Sequence, residues 1–491
     1  LASFLSSHGH ETEIIEADLA GIDVAGVASR LESFDFVGFS LNYSKQYRTA
    51  RKIVGELTRR DGAGGRKTAR KIVAGGHYAT SQADFLLSNF PEMNAVVLGE
   101  GEQALLELLG AGFQQPGSVA GLAFRDAAGA VCRTKERVGT GDIDSFPFPL
   151  RDLNSSREGF TIISSRGCYG SCAFCSVASF SRQSGFSRRW RTRSPENIVE
   201  EIVEFQEKLG VDTVSFVDDV FVGPDERSRR RAEKFCDLLK EQGIGLRFSI
   251  ACKADAVEPV LFEKLAATGL KSVCVGFESG QDKALACFNK KVGADRNAHA
   301  LDVLRQLDLD GDHGFILFYP EMDYGDFMVN LEFLYQNGLL DSRLLCSRLV
   351  ILYGTPYCHR ELDGVEVEED GVTISYVFKD SRLERLHAAL RAVHAVLEPA
   401  ERKVANLTYF LHSLDDREDI RALKSAVASM RRATGERLYR LAGRLYRELE
   451  HDQGFPAAEY AAGEAKMIQR ETGGGADFTR AAAEGRLDGI I

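Results

Sequence analysis

The sequence predicts an α/β chain in three parts. A Rossmann-like domain occupies residues 1–142, a run of six β/α units residues 160–360, and a mainly helical domain residues 361–491. Three observations predict this. The length of 491 residues calls for two or three domains. Short apolar runs alternate with amphipathic helical patterns from residue 160 to 360, which is the signature of a parallel sheet. After residue 380 the apolar spacing turns helical throughout, as in "RLERLHAALRAVHAVLEPAERKVANLTYFLHSL".

The first part shows strand signals at "DFVGFSLNY" (35–43), at "RKIVAGGHY" (70–78) and at the start of "NAVVLGEGEQALLELL" (94–109). The last continues through an acidic turn into a helix. The Pro- and Ser-bearing segment 143–159 reads as a linker. In the second part, strands are predicted over 160–165, 212–219, 246–255, 271–280, 311–322 and 347–356. Helices lie between them at 194–210, 229–243, 259–269, 294–308 and 324–338. The first of these helices carries its own signals: Ser194 as N-cap, Pro195 in the first turn and Gly210 at the end. The arginine runs of the third part read as solvated faces, and Tyr439 and Tyr446 as core. The tail 471–491 reads as loosely ordered.

Hydrophobic residues make up 44% of the chain, enough for ordinary cores, and no run of about 18 apolar residues suggests a membrane span. A net charge of −11 argues against nucleic acid as a main partner. No signal peptide is read at the start, so the expected location is the cytoplasm, and the ten cysteines are expected to be reduced thiols. Cys132, Cys236, Cys252, Cys274, Cys287, Cys346 and Cys358 are scattered singly and read as small buried hydrophobes.

Cys168, Cys172 and Cys175 are different. They cluster in "RGCYGSCAFCSVASFSR" (166–182). Structural zinc needs four ligands, and neither a second cysteine pair nor a nearby histidine is available. A disulfide would leave one thiol over. Three thiolates suit a [4Fe–4S] cluster with one iron left open to chelate a small molecule. Gly167 and Gly170 let the loop wrap closely around it. Polar residues stand at the ends of the strands that follow, where α/β barrels keep their chemistry: Asp218, Asp219, Ser249, Lys253, Asp255, Glu278, Ser279 and Glu321.

The C-x3-C-x2-C stretch, with aromatic Phe174 before the third cysteine, resembles the signature of radical S-adenosylmethionine (SAM) enzymes. The resemblance implies a partial (β/α)6 barrel. It also implies that the open iron binds SAM, which is cleaved reductively to a 5′-deoxyadenosyl radical. In such a barrel "FESG" matches the ribose-contacting position, so Glu278 and Ser279 are implied SAM contacts. Lys253 stands where relatives carry an arginine that meets the SAM carboxylate, with Ser249 on the same strand. Asp218 and Asp219 stand where relatives meet the SAM amino group or the substrate. "FILFYPEM" departs from the usual glycine-rich end of the fifth strand.

The first part resembles the cobalamin-binding domain of one large branch of these enzymes. The pieces that carry the likeness are Ser40–Leu41, Gly75–Gly76–His77 and "GEGE" (99–102). There is no D-x-H-x-x-G, so no histidine is offered as a lower axial ligand. The first strand that the resemblance implies before "LASFLSSHGHETEII" is missing, which predicts a truncated chain or a damaged corrin pocket. From this follows the expected reaction: hydrogen abstraction from an amino-sugar diol, then dehydration, with Asp218, Asp219 and Tyr319 as the acids and bases. Architecture and size resemble the radical SAM diol dehydratases of apramycin-type aminoglycoside pathways in antibiotic biosynthesis. The alternative is a cobalamin-dependent radical SAM C-methyltransferase. The implied cofactors are a [4Fe–4S] cluster and SAM, with cobalamin as a third. The implied partners are a small-molecule substrate such as an aminoglycoside, a flavodoxin or ferredoxin as electron donor, and a partner reductase.

Overall fold

The structure is a computed structural model. It describes residues 1–16, 21–63, 70–151, 160–183, 189–309, 311–362, 365–367, 372, 374–412, 418–452 and 454–471. The tail expected to be loosely ordered, from residue 472 on, and the linker beyond residue 151 lie outside the described residues. The chain divides into two compact units. One holds Leu1–Phe221 with Ile351–Arg360 and Glu366–Ser375; the other holds Val222–Val350, Glu361–Val365 and Tyr376–Ile491.

The first unit opens with a five-stranded sheet in the order β1 (Phe36–Ser40), β2 (Lys71–Gly75), β3 (Ala95–Val97), β4 (Leu122–Arg125), β5 (Val131–Arg133). β1 to β3 are parallel, and β4 and β5 close the sheet antiparallel. Both faces are covered. On one side Val37, Ile72, Ala74 and Val96 pack with Tyr47, Tyr78, Leu86 and Phe90. On the other, Val73, Ala95 and Val97 pack with Leu5, Ala104, Leu105 and Leu108. Near-continuous apolar runs such as "KIVAG" are what a doubly covered parallel strand requires.

The same unit contains β6 (Phe160–Ile162), β7 (Ser165–Gly167), β8 (Trp190–Thr192) and β9 (Thr213–Phe216). β6 and β9 are parallel neighbours, Thr161 opposite Ser215. β7 and β8 form a short antiparallel pair that brackets the cysteine loop. The helix Pro195–Leu209 starts and stops on the signals read from sequence. Ser194 accepts from the Asn197 N–H at 3.2 Å, and Gly210 turns out of the helix at φ +64°.

In the second unit β10 (Arg247–Lys253), β11 (Leu270–Glu278) and β12 (Gly314–Phe315) are parallel neighbours. Strand was expected over 311–322 and 347–356, and the structure corrects both. The fifth strand is two residues long, and the sixth is a single parallel bridge between Phe318 and Arg348. Backbone pairing does continue, because the Phe318 N–H donates to Ser347 O at 2.9 Å and the Leu349 N–H to Phe318 O at 2.8 Å. Pro320 and Pro356 bring no N–H to extend that ladder. Helices Ser381–His412, Glu418–His451 and Ala457–Glu471 pack on one another, as the helical spacing predicts. Tyr446 stacks on Tyr324 with centroids 4.3 Å apart and Tyr439 on Tyr335 at 4.2 Å, so these tyrosines join the C-terminal helices to the segment around helix Asp326–Gln336. Among the described residues no helix is long and apolar enough to cross a membrane.

Candidate active site

The three cysteines sit between β7 and β8, none of them in a disulfide: Cys172 is buried, Cys168 and Cys175 partly so. Gly167 ends β7 at φ +80°, and a Cβ there would lie 2.0 Å from the carbonyl oxygen of Arg189, the residue just before the partner strand. Only glycine permits that crossing. Backbone N–H groups point at sulfur. The Gly170 N–H donates to Cys168 Sγ at 3.2 Å. Cys175 Sγ accepts from the N–H groups of Val177 and Ala178, at the start of helix Ser176–Gln183.

Burial pushes the Cys175 thiol up to about 11, although those two N–H groups work the other way. A buried thiol of this kind becomes a thiolate when a cationic metal centre takes it as ligand. Among the described residues no three His, Cys, Asp or Glu side chains converge on a single ion. A cluster asks for something else, since each of its cysteines binds a different iron. The donor set, the N–H to sulfur bonds and the glycine-only crossing therefore fit a [4Fe–4S] group held by Cys168, Cys172 and Cys175. Phe174 lies half-buried between the last two.

The adjacent acids at the end of β9 have opposite environments, because successive residues of an extended chain face opposite sides. Asp218 is buried and saturated. It accepts from the Ser164 N–H (2.9 Å), Ser164 Oγ (3.0 Å), Ser165 Oγ (2.8 Å) and the Ser165 N–H. It ties the end of β9 to the segment leading into the cysteine loop. Asp219 shares the open face with Val217 (53% exposed), and Ile163 (44% exposed) is likewise open in the segment after β6. The surrounding protein and the neighbouring Asp218 raise the pKa of Asp219 to about 6, against the pull of the Gly167 N–H. Sequence reasoning paired the two acids; the structure separates a holding group from an open one.

In the second unit, Glu278 ends β11 at φ +66°, a conformation uncommon for a side chain of its size. The register between β11 and β12 shifts there, and the Ile316 N–H donates to Glu278 O at 2.7 Å. Its carboxylate meets buried Lys290 Nζ at 2.8 Å. A Cβ on Gly276 would stand 2.5 Å from Glu278 Oε1 and 3.0 Å from Lys290 Nζ, so Gly276 makes room for the pair. Lys290 was missed in the sequence, since nothing local marks it.

Ser279 is fully buried and donates from Oγ to Asn330 Oδ1 at 2.8 Å. Lys253 is buried at the end of β10, 3.6 Å from Asp255, and Ser249 lies half-buried on the same face of that strand. Cys274 is exposed and opposite Ala251, whereas Cys252 is buried on the other face. Tyr319 is fully buried, with its hydroxyl 3.4 Å from Asp326 Oδ2; burial and that carboxylate raise its pKa strongly.

In the N-terminal sheet, the residues singled out gather at the C-terminal ends of β1 and β2, the edge where such sheets take ligands. Ser40 is exposed, and Gly75 is opposite it in register. A Cβ on Gly75 would meet Val97 only at ordinary contact distance, 3.8 Å. Packing thus does not demand glycine there, and its bareness leaves the shelf open to a close-lying group. Gly76 is at φ +101°, and a Cβ on it would come 2.6 Å from Asn42 Oδ1. This edge fits a planar cofactor laid over the strand ends, such as a corrin.

His77 follows. Its ring stacks on Phe180 (4.2 Å, 15°), and Nδ1 is 3.1 Å from Ser176 Oγ. Burial lowers its pKa, favouring the neutral imidazole. The "GEGE" turn after β3 is also engaged. Glu102 meets Arg166 at 2.7 Å, and Glu100 meets Arg166 at 3.2 Å as well as Arg191. Burial works against charge on Glu102, but Arg166 more than offsets it and its pKa ends below the usual carboxylate range.

Residues 162–334 match the radical SAM superfamily and residues 1–109 the B12 binding domain. The chain thus carries a radical SAM domain preceded by an N-terminal B12-binding domain. An uncharacterized methyltransferase of Pyrococcus horikoshii is 24% identical over 327 residues, covering 64% of this chain and 67% of that protein. The cytidylyl-2-hydroxyethylphosphonate methyltransferase of Streptomyces wedmorensis is 25% identical over 272 residues, covering 47% of this chain and 49% of that protein. The solved structure of the cobalamin-dependent radical enzyme OxsB, with aqua-cobalamin and SAM bound, superposes with a TM-score of 0.74 at 18% identity. It covers 100% of this chain and 78% of that one. Its likeness establishes the fold: a B12-binding domain, a radical SAM domain and a helical C-terminal part.

Proposed function

We propose that the protein is a cobalamin-dependent radical SAM C-methyltransferase acting on a small molecule. The observation that carries this reading is the packing of the B12-binding domain's strand-end turns onto the helix that leaves the cysteine loop, His77 against Phe180 and Ser176. A corrin over Ser40, Gly75 and Gly76 would lie beside the cluster loop. The two methyltransferase relatives support methyl transfer, and neither supports dehydration of an amino-sugar diol. β1 to β3 form a parallel sheet with both faces packed, so the strand-end edge that would take the corrin is built.

When bound, the cluster and SAM supply a radical that abstracts hydrogen, and cobalamin supplies a methyl group. The chain's own residues do the rest. Cys168, Cys172 and Cys175 hold the cluster, and Gly167 and Gly170 let the loop close over it. Glu278, held by Lys290, and Lys253 offer charge at the strand ends for SAM. Asp218 fixes the end of β9 so that Asp219 meets the substrate from the open face. Tyr319, bonded to Asp326, is a second candidate to hold a proton. Ser279 supports the turn after Glu278 through Asn330. A cluster held by Cys168, Cys172 and Cys175 would need a one-electron donor, of the flavodoxin or ferredoxin type.

The test uses reconstituted protein with hydroxocobalamin, a strong reductant and SAM. Atom balance requires that a methylating enzyme turn some SAM into S-adenosylhomocysteine, and some into 5′-deoxyadenosine and methionine. Both nucleoside products are expected, each at one equivalent per chain or more. 5′-Deoxyadenosine without S-adenosylhomocysteine would contradict methyl transfer.

A further inference from the structure

Both flanks of the cysteine loop are gripped by the two turns that border the proposed corrin shelf. Upstream, Arg166 is two residues before Cys168. It pairs with Glu102 at 2.7 Å and Glu100 at 3.2 Å, in the turn after β3. Arg191, on the strand that pairs with β7, joins the same network through Glu100, and its Nη1 donates to Thr140 O at 2.5 Å. Downstream, Ser176 directly follows Cys175 and bonds His77 at 3.1 Å, in the turn after β2. Phe180, one helical turn on, stacks under the His77 ring. Glu102 and Arg191 are buried, so these are not solvated surface pairs.

We propose that His77, Ser176, Phe180 and the Arg166–Glu100–Glu102 network are positioning residues that couple occupancy of the corrin shelf to the order of the cluster loop. The inference rests on the corrin-binding reading above. The two sites are linked thermodynamically. The loop cannot settle around a cluster without placing Arg166 and Ser176, and those two hold the turns against which a corrin would lie. Whatever fixes one side then favours the other, by the same factor in each direction. Gly76 adds to this. At φ +101°, with no room for a Cβ beside Asn42 and Leu41, it forms a confined turn directly before His77.

The experiment measures the Kd of hydroxocobalamin by desalting and visible absorption, for cluster-free and for reconstituted full-length protein. Wild type is expected to bind about fivefold or more tightly once the cluster is in place, the lower end of ordinary coupling. The double variant Ser176→Ala/Phe180→Leu is expected to keep its iron and sulfide content and to lose most of that ratio, the remainder being carried by the Arg166–Glu100–Glu102 network. His77→Gln, which retains a hydrogen-bonding group but no aromatic ring to stack on Phe180, is expected to keep part of the ratio. Equal Kd values in wild type would overturn the coupling on their own, whatever the variants do. So would a double variant that keeps the full ratio. Absence of corrin binding in both states would overturn the corrin reading and the coupling with it, and is distinguishable from the other failures.

Discussion

Replacing any one of Cys168, Cys172 or Cys175 with alanine is expected to abolish SAM cleavage, with 5′-deoxyadenosine falling at least about a thousandfold, or about 4 kcal/mol in barrier terms. The reason is that, in the proposed reading, these thiolates hold the group that does the hard chemistry. The N–H donors at Gly170, Val177 and Ala178 are aimed at sulfur and find no substitute in a methyl group. The B12-binding sheet should fold as before, because its two cores contain none of these residues. Anaerobic reconstitution, iron and sulfide analysis and chromatography of the nucleoside products check the result. A variant that still makes 5′-deoxyadenosine at a comparable rate would remove these cysteines from the chemistry.

Glu278→Ala is expected to have the second largest effect, and on two observables. Lys290 is buried at 3% exposure and would lose its 2.8 Å partner. Breaking a buried ion pair from one side costs about 3–5 kcal/mol, far more than removing an exposed one. Thermal unfolding should therefore shift down by several degrees. SAM affinity should fall as well, by about tenfold or more, since the carboxylate at the end of β11 is lost. Iron content should remain at the wild-type level. Glu278→Gln keeps an acceptor for Lys290 and should recover part of the stability but little of the SAM affinity. Unchanged SAM binding in both variants would take Glu278 out of the SAM site and leave it a purely structural partner of Lys290.

Much of this was legible in the residues. The cysteine spacing and its glycines pointed to the cluster because that chemistry is local, contained within eight residues. Helix Pro195–Leu209 was legible because Ser194, Pro195 and Gly210 each act within one turn. The two acids at 218 and 219 could not be told apart by composition. Their difference arises from the side alternation of the chain and from Ser164 and Ser165, more than 50 residues earlier. The Lys290–Glu278 pair and the Arg166–Glu102 pair were invisible for the same reason: their partners meet only once the sheets have formed. The short strand β8 escaped notice because three residues carry no period. The overlong fifth and sixth strands followed from reading apolar runs such as "FILFY" without weighing the prolines that limit their pairing.

The proposed reaction depends on a corrin held beside a radical SAM cluster. The most direct measurement is the visible spectrum of the anaerobically reconstituted protein after incubation with hydroxocobalamin and desalting. Retention of corrin bands at close to one equivalent per chain, over the broad iron–sulfur absorption, is the expected result. A spectrum showing the iron–sulfur absorption alone would contradict it.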